Sequence, residues 1–192
     1  MIWTLLAATA LSGGIPVSPD ECCPVAVQAA AEPAPPFGEA GTTRIRVEGG
    51  HGPAYKPRGR RLTVGSVRLD RFVVDGFSAG VALSGVRFAR PEESTAGAGV
   101  EVVFRWYAFR DRLLSPYADA GGGGMVTGRP VPVHGTRINF SSSLGVGVGF
   151  RLSETVRLSM GSRWNHISNG NLGTHNPGRD SLYGYMGASL PF

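Results

Sequence analysis

From Arg137 to Leu152 the chain alternates with a period of two. Ile138, Phe140, Leu144, Val146, Val148 and Phe150 fall on one side, and Arg137, Asn139, Ser141, Ser143, Gly145, Gly147, Gly149 and Arg151 on the other. Successive side chains of a strand point to opposite faces, so this segment reads as a strand with one apolar face and one small or polar face. The same rhythm divides the rest of the chain. Candidate strands are Thr42–Gly50, Arg60–Leu69, Phe72–Ala89, Gly99–Phe109, Ser115–Thr127, Arg137–Leu152, Thr155–Ser168 and Ser181–Phe192. The third is over-long and has room for a bulge at Gly85. All have about the length that a tilted membrane strand needs.

The connections alternate too. Asp70-Arg71, Arg110-Asp111-Arg112 and Ser153-Glu154 are short, whereas His51–Gly59, Pro91–Ala98, Gly128–Thr136 and Asn169–Asp180 are longer and carry Pro, Gly, His and charge. Short turns on one side and long loops on the other are the pattern of an outer-membrane barrel, and an even strand number closes the sheet without an edge in lipid. The expected fold is all-β: an eight-stranded antiparallel up-and-down transmembrane β-barrel. A soluble barrel would show the same alternation with its faces reversed. An export signal and Phe192 on the apolar face of the last strand favour the membrane form.

Composition agrees. There are 29 glycines in 192 residues and only 17% charged residues, which suits strands with one small-residue face. The net charge of +5 is carried by 18 arginines and the single lysine Lys56. These are scattered along alternating segments and do not form the basic stripe that nucleic acid requires, but ligands with phosphate groups remain compatible. Ile2 to Ile15 is uncharged and apolar, and Ala29-Ala30-Ala31 offers a small-residue cleavage site. The domain reading is a signal peptide over 1–31, a short periplasmic leader over 32–41, and the barrel over 42–192. Cys22 and Cys23 precede the cut, so the mature chain has no thiol.

The seventh segment carries the candidate chemistry. Val156, Leu158, Met160, Ser162, Trp164, His166 and Ser168 share its lipid-facing side. In the eighth, Leu182, Gly184, Met186, Ala188, Leu190 and Phe192 do so, and one step back places Asp180 on the same outer face. A histidine facing lipid needs polar partners. Ser168, His166 and Asp180 can converge as nucleophile, general base and orienting carboxylate. A His-x-Ser pair also arises by chance, and an interfacial histidine can simply sit at headgroup level; three groups on one outward face favour the catalytic reading. Glu101, Arg105, Asp119, Arg137, Arg151, Arg157 and Arg163 are expected inside, paired as a salt-bridge network. His51, His134 and His175 fall in loops without partners at metal-ligand spacing, so no metal or other cofactor is expected.

The run His166-Ile167-Ser168-Asn169-Gly170, followed by Asn176-Pro177-Gly178 and Asp180, resembles the lipid A 3-O-deacylase family of the PagL type. Arg105-Trp106-Tyr107, Ser115-Pro116-Tyr117-Ala118-Asp119-Ala120-Gly121 and the Phe140 to Phe150 strand extend the resemblance over roughly Gly99 to the C-terminus. It implies an outer-membrane esterase that needs no calcium and removes the 3-hydroxyacyl chain from the 3-position of lipid A. In that family the acid is usually Glu, whereas the spacing here lands on Asp180. Asn169, Gly170 and Asn176 are candidate oxyanion donors, with loop formation as the alternative role of the two asparagines. Lys56, Arg58, Arg60 and Arg61 form a basic cluster in the first external loop and strand top, by default a solvated loop and alternatively a contact for lipid A phosphates. Lipid A, set among outer-membrane lipids, is then the expected substrate, with the active site facing the outer leaflet, and monomer and homodimer are both compatible. The competing readings are a non-enzymatic small barrel serving as an adhesin or structural element, and a phospholipase or acyltransferase.

Overall fold

A computed structural model describes residues 36–56, 58–89, 94–173 and 175–192. The expected signal peptide, residues 1–31, lies outside the described residues, as do the first residues of the leader. Eight strands follow in order: β1 (Thr43–Lys56), β2 (Arg60–Val74), β3 (Phe77–Ala89), β4 (Thr95–Tyr107), β5 (Leu114–Val131), β6 (Thr136–Arg151), β7 (Arg157–Ser168) and β8 (Arg179–Pro191). Each pairs antiparallel with its neighbour, and β8 closes on β1.

The faces are those of a barrel in lipid. On β6, Ile138 and Val146 are 73% and 64% exposed while Asn139, Ser141 and Ser143 are buried. Val67, Leu83, Val102, Trp106 and Met186 continue the apolar outer band. Polar residues inside and large apolar ones outside is the reverse of a soluble barrel.

Eight strands leave an interior that side chains must fill. Arg105 Nη2 donates to Glu48 Oε1 at 2.8 Å and to Asp119 Oδ2 at 2.6 Å. Arg163 Nη2 donates to the same Asp119 oxygen at 2.8 Å. Arg46 and Arg68 are cross-strand neighbours of like charge, and both reach Asp70, at 3.1 and 2.8 Å. Of the expected network, Arg105, Asp119 and Arg163 are ion-paired, whereas Glu101 accepts from Ser141 Oγ and Arg157 donates to Ser115 Oγ and Arg110 O; Arg46, Glu48, Arg68 and Asp70 are its unanticipated half.

At the turn end the leader enters the barrel. Phe37 packs edge-on against Phe72 and Tyr107, with ring centroids 5.4 and 5.0 Å apart. The Arg157 guanidinium lies 3.8 Å from the Phe37 centroid and that of Arg44 5.0 Å. Backbone bonds between Gly41 and Phe72, and between Gly76 and Gly38, tie the leader to the β2–β3 hairpin.

Several boundaries differ from the sequence reading. Asp70-Arg71 is not a turn. The hairpin closes after Val74, at Asp75-Gly76, where Gly76 adopts φ 74°, as an Asp-Gly turn favours. Asp70 reads as a turn residue by composition but is a buried acceptor. Gly85 pairs regularly with Gly65 and Ala98, and the irregularities among the described residues lie instead between Phe72 and Val74, between Ala54 and Lys56 and between Val126 and Val131. His51 belongs to β1 rather than a loop, with Nδ1 2.8 Å from Thr63 Oγ1. Arg137 and Arg151 are exposed, not interior. The strands run 12 to 18 residues, longer than the roughly 9–11 that cross hydrocarbon, so both arginines sit on rims open to water.

Asp119 joins two buried arginines. Asp119→Ala should therefore destabilise the barrel by roughly 3–5 kcal/mol, the cost of stranding a buried charge. The midpoint of urea unfolding in detergent, followed by heat-modifiable mobility, measures it; a shift within error would mean that the network is not a stabilising element.

Candidate active site

The β7–β8 hairpin positions the site at the loop end of the wall. In its register His166 faces Asp180 directly. Both side chains are on the outer face, and His166 Nδ1 lies 2.7 Å from Asp180 Oδ1. An ionised carboxylate only accepts, so Nδ1 carries the proton and Nε2 presents its lone pair. Asp180 therefore reaches the ring without the extra methylene of a glutamate.

Ser168 lies two residues beyond His166 on the same face, at the end of β7 and opposite Phe140 of β6. That spacing separates the two Cα atoms by about 6.6 Å. Among the described residues no hydrogen bond joins Ser168 Oγ to His166. The structure thus brings His166 and Asp180 into contact and sets Ser168 beside them on the same wall. Such bonds commonly tighten once substrate is bound.

The loop after β7 is held by its own amides. Leu172 N–H donates to Asn169 C=O at 3.1 Å, and the central residues Gly170 and Asn171 have φ of 62° and 63°, a tight turn of type I′ character. Asn169 is buried; its Nδ2 donates to His175 O at 2.9 Å and its Oδ1 accepts from Asn171 N at 3.0 Å. Asn176 Oδ1 accepts the Asn169 N–H at 3.0 Å, and Asn176 Nδ2 donates to Asn171 Oδ1 at 3.0 Å. Of the two roles open to these asparagines, the structure favours loop formation over donation to an oxyanion. Asn169 follows outward-facing Ser168 and so points inward, and both amides are committed to the loop. Gly170 remains, because among the described residues no hydrogen bond takes its N–H.

Two groups beside His166, Trp164 and Gly178, carry a role that the sequence did not assign to them. Trp164 stacks on its ring, with centroids 6.0 Å apart and planes inclined by 24°; its place two residues away on the same face was the available signal. Gly178, at φ +63°, packs against the imidazole, where an added Cβ would lie 3.3 Å from Cε1. The basic cluster is divided. Lys56, Arg58 and Arg61 are exposed, whereas Arg60 is half-buried, opposite buried Ala54. Further along the wall, Gly49, Gly184, Met160, Met186 and His51 line an open depression of about 820 Å³.

A closed barrel with an apolar exterior and a polar, filled interior defines the class as an outer-membrane β-barrel. Two solved barrels share the fold. The crystal structure of the outer membrane enzyme PagL is 18% identical, with a TM-score of 0.62, covering 77% of this chain and 99% of that one. Neisserial surface protein A is 13% identical, with a TM-score of 0.63, covering 78% of this chain and 97% of that one. No curated protein matches the sequence. The family model for lipid A 3-O-deacylase (PagL) matches residues 71–189, more than half of the chain. The chain belongs to the lipid A 3-O-deacylase (PagL) family.

Gly178 is both left-handed and in contact with the imidazole. Gly178→Ala should destabilise by about 1 kcal/mol from backbone strain alone and should lower kcat/KM further by displacing the ring. Parallel measurement of unfolding midpoint and lipid A hydrolysis tests this; unchanged hydrolysis would show that the ring does not depend on this contact.

Proposed function

We propose that the protein is a serine esterase that releases a 3-hydroxyacyl chain from lipid A at its outer wall, with Ser168, His166 and Asp180 as the catalytic groups and the loop end facing the outer leaflet. The observation that carries the reading is the 2.7 Å His166–Asp180 bond on the lipid-facing side, with a serine two residues away, in a chain of the lipid A deacylase family. An adhesin has no use for an oriented imidazole at that position.

Ser168 Oγ attacks the acyl carbonyl carbon while its proton passes to His166 Nε2. The carbonyl electron pair moves onto oxygen, and the Gly170 N–H is the donor left to stabilise the oxyanion. Collapse breaks the bond to the sugar oxygen, which takes the proton from Nε2 and leaves as the 3-hydroxyl. The acyl group is now esterified to Ser168. Water then attacks by the same route, returning the proton to Ser168 and releasing the 3-hydroxy fatty acid. Asp180 stays ionised and stabilises the imidazolium formed in each half-reaction. Trp164 covers one face of the ring, an arrangement that favours a cation. The depression beside Gly184 is open to membrane-borne acyl chains, so substrate arrives by lateral diffusion.

Ser168→Ala and His166→Ala should abolish loss of the acyl chain, followed by mass spectrometry of lipid A, while heat-modifiable folding is retained; full activity in either would refute the mechanism. Asp180→Asn should lower kcat by about 10²–10⁴, because it removes the charge and allows the wrong tautomer. Asp180→Glu should stay active, since it keeps the charge. The reverse order, Asn active and Glu dead, would reduce Asp180 to a turn residue.

A further inference from the structure

Lys56 is the only lysine of the chain, and an irregularity in β1 decides where it points. β1 pairs with β8 in constant register from Arg44↔Pro191 through His51↔Gly184 to Ala54↔Ser181; the next pair is Lys56↔Asp180, one residue out of step. Continued register would have set Tyr55 opposite Asp180 and turned Lys56 toward the interior. Instead Ala54 and Ser181 are buried while Tyr55 and Lys56 are both exposed. A bulge inserts one unpaired residue and re-aims its neighbours. Here it moves Lys56 onto the outer face beside Asp180.

His166, Asp180 and Lys56 thus occupy one row across β7, β8 and β1. At about 4.8 Å per strand the Lys56 Cα lies about 10 Å from that of His166. Among the described residues Lys56 makes no ion pair, and the carboxylate beside it is bonded to His166. An ammonium at this position competes with the imidazole for Asp180 unless another anion holds it. Such an anion would have to come with the substrate, in the plane of the headgroups.

We propose that Lys56 is a specificity-determining residue that binds the phosphate on the sugar bearing the scissile ester. The proposal rests on the reading of Ser168, His166 and Asp180 given above. The ester and that phosphate are substituents of one ring, so a cation one strand away from the acid can take the phosphate while the carbonyl stays at Ser168. A lysine binds phosphate as a point charge, and arginine can replace it in that role.

The test compares two substrates in mixed micelles: lipid A with both phosphates, and monophosphoryl lipid A lacking the phosphate on the sugar with the scissile ester. Wild type should prefer the first in kcat/KM, and the preference should weaken with rising salt. Lys56→Gln should cut that ratio about tenfold, through KM, the effect of losing one charge-assisted hydrogen bond; Lys56→Arg should restore most of it. Equal loss on both substrates, or a wild type without preference, overturns the proposal. The wild-type measurement needs no variant, so a folding failure in Lys56→Gln leaves the test intact. Ser168→Ala run alongside separates the two ideas. If it is inactive while the ratio is unmoved by Lys56→Gln, only the phosphate proposal fails; if it is active, the underlying mechanism fails.

Discussion

Hydrocarbon offers no hydrogen-bond partner, and that constraint shapes the whole molecule. Every backbone N–H and C=O at membrane depth must be paired within the protein, so the sheet closes, β8 on β1. With eight strands the interior is too narrow for a channel and must be filled by side chains. Arg46, Glu48, Arg68, Asp70, Arg105, Asp119 and Arg163 fill it as one ionic lattice in which each carboxylate serves more than one guanidinium. The proposed chemistry is therefore left to the outer wall, which faces lipid.

The same constraint gives the site its form. A polar side chain on a lipid-facing strand position needs a partner on the same face, and the β7–β8 register supplies one by setting His166 opposite Asp180. Their mutual bond satisfies a desolvation requirement and also fixes the tautomer that the proposed general base needs. The loop that joins the strands is stiffened by Asn169, Asn171 and Asn176 bonding among themselves, and it brings Gly178 against the imidazole. With the carboxylate bonded to Nδ1 and Trp164 and Gly178 against the ring, Nε2 is the nitrogen left unbonded among the described residues.

The sequence made much of this visible, because period-two patterning carries both strand identity and face. Parity alone placed His166, Ser168 and Asp180 together on the wall, and put Arg105, Asp119, Arg157 and Arg163 inside. Parity also decides between the two readings of Asn169: a residue following an outward serine must point inward, which favours loop formation over donation to the site. The turn was misplaced because Asp70-Arg71 looks like surface chemistry, and only the closed interior makes a buried aspartate necessary there. The shift at Lys56 could not be read at all. A bulge is a relation between two strands, here β1 and β8, that lie at opposite ends of the chain. Rim arginines such as Arg137 and Arg151 keep lumenal parity without lumenal burial, and strand length past the hydrocarbon decides between the two.

Phe37 gives the sealed interior a consequence for the cell envelope. Its ring, clamped between Phe72, Tyr107 and two guanidinium groups, corks the turn end of a cylinder already packed with ion pairs. Conduction needs an unbroken file of water from one mouth to the other, and an aromatic cork interrupts it. A membrane can therefore carry many copies of such a barrel with its permeability to ions and small solutes unaltered. Abundance then governs how fast the lipid surface is remodelled and not how well the barrier holds.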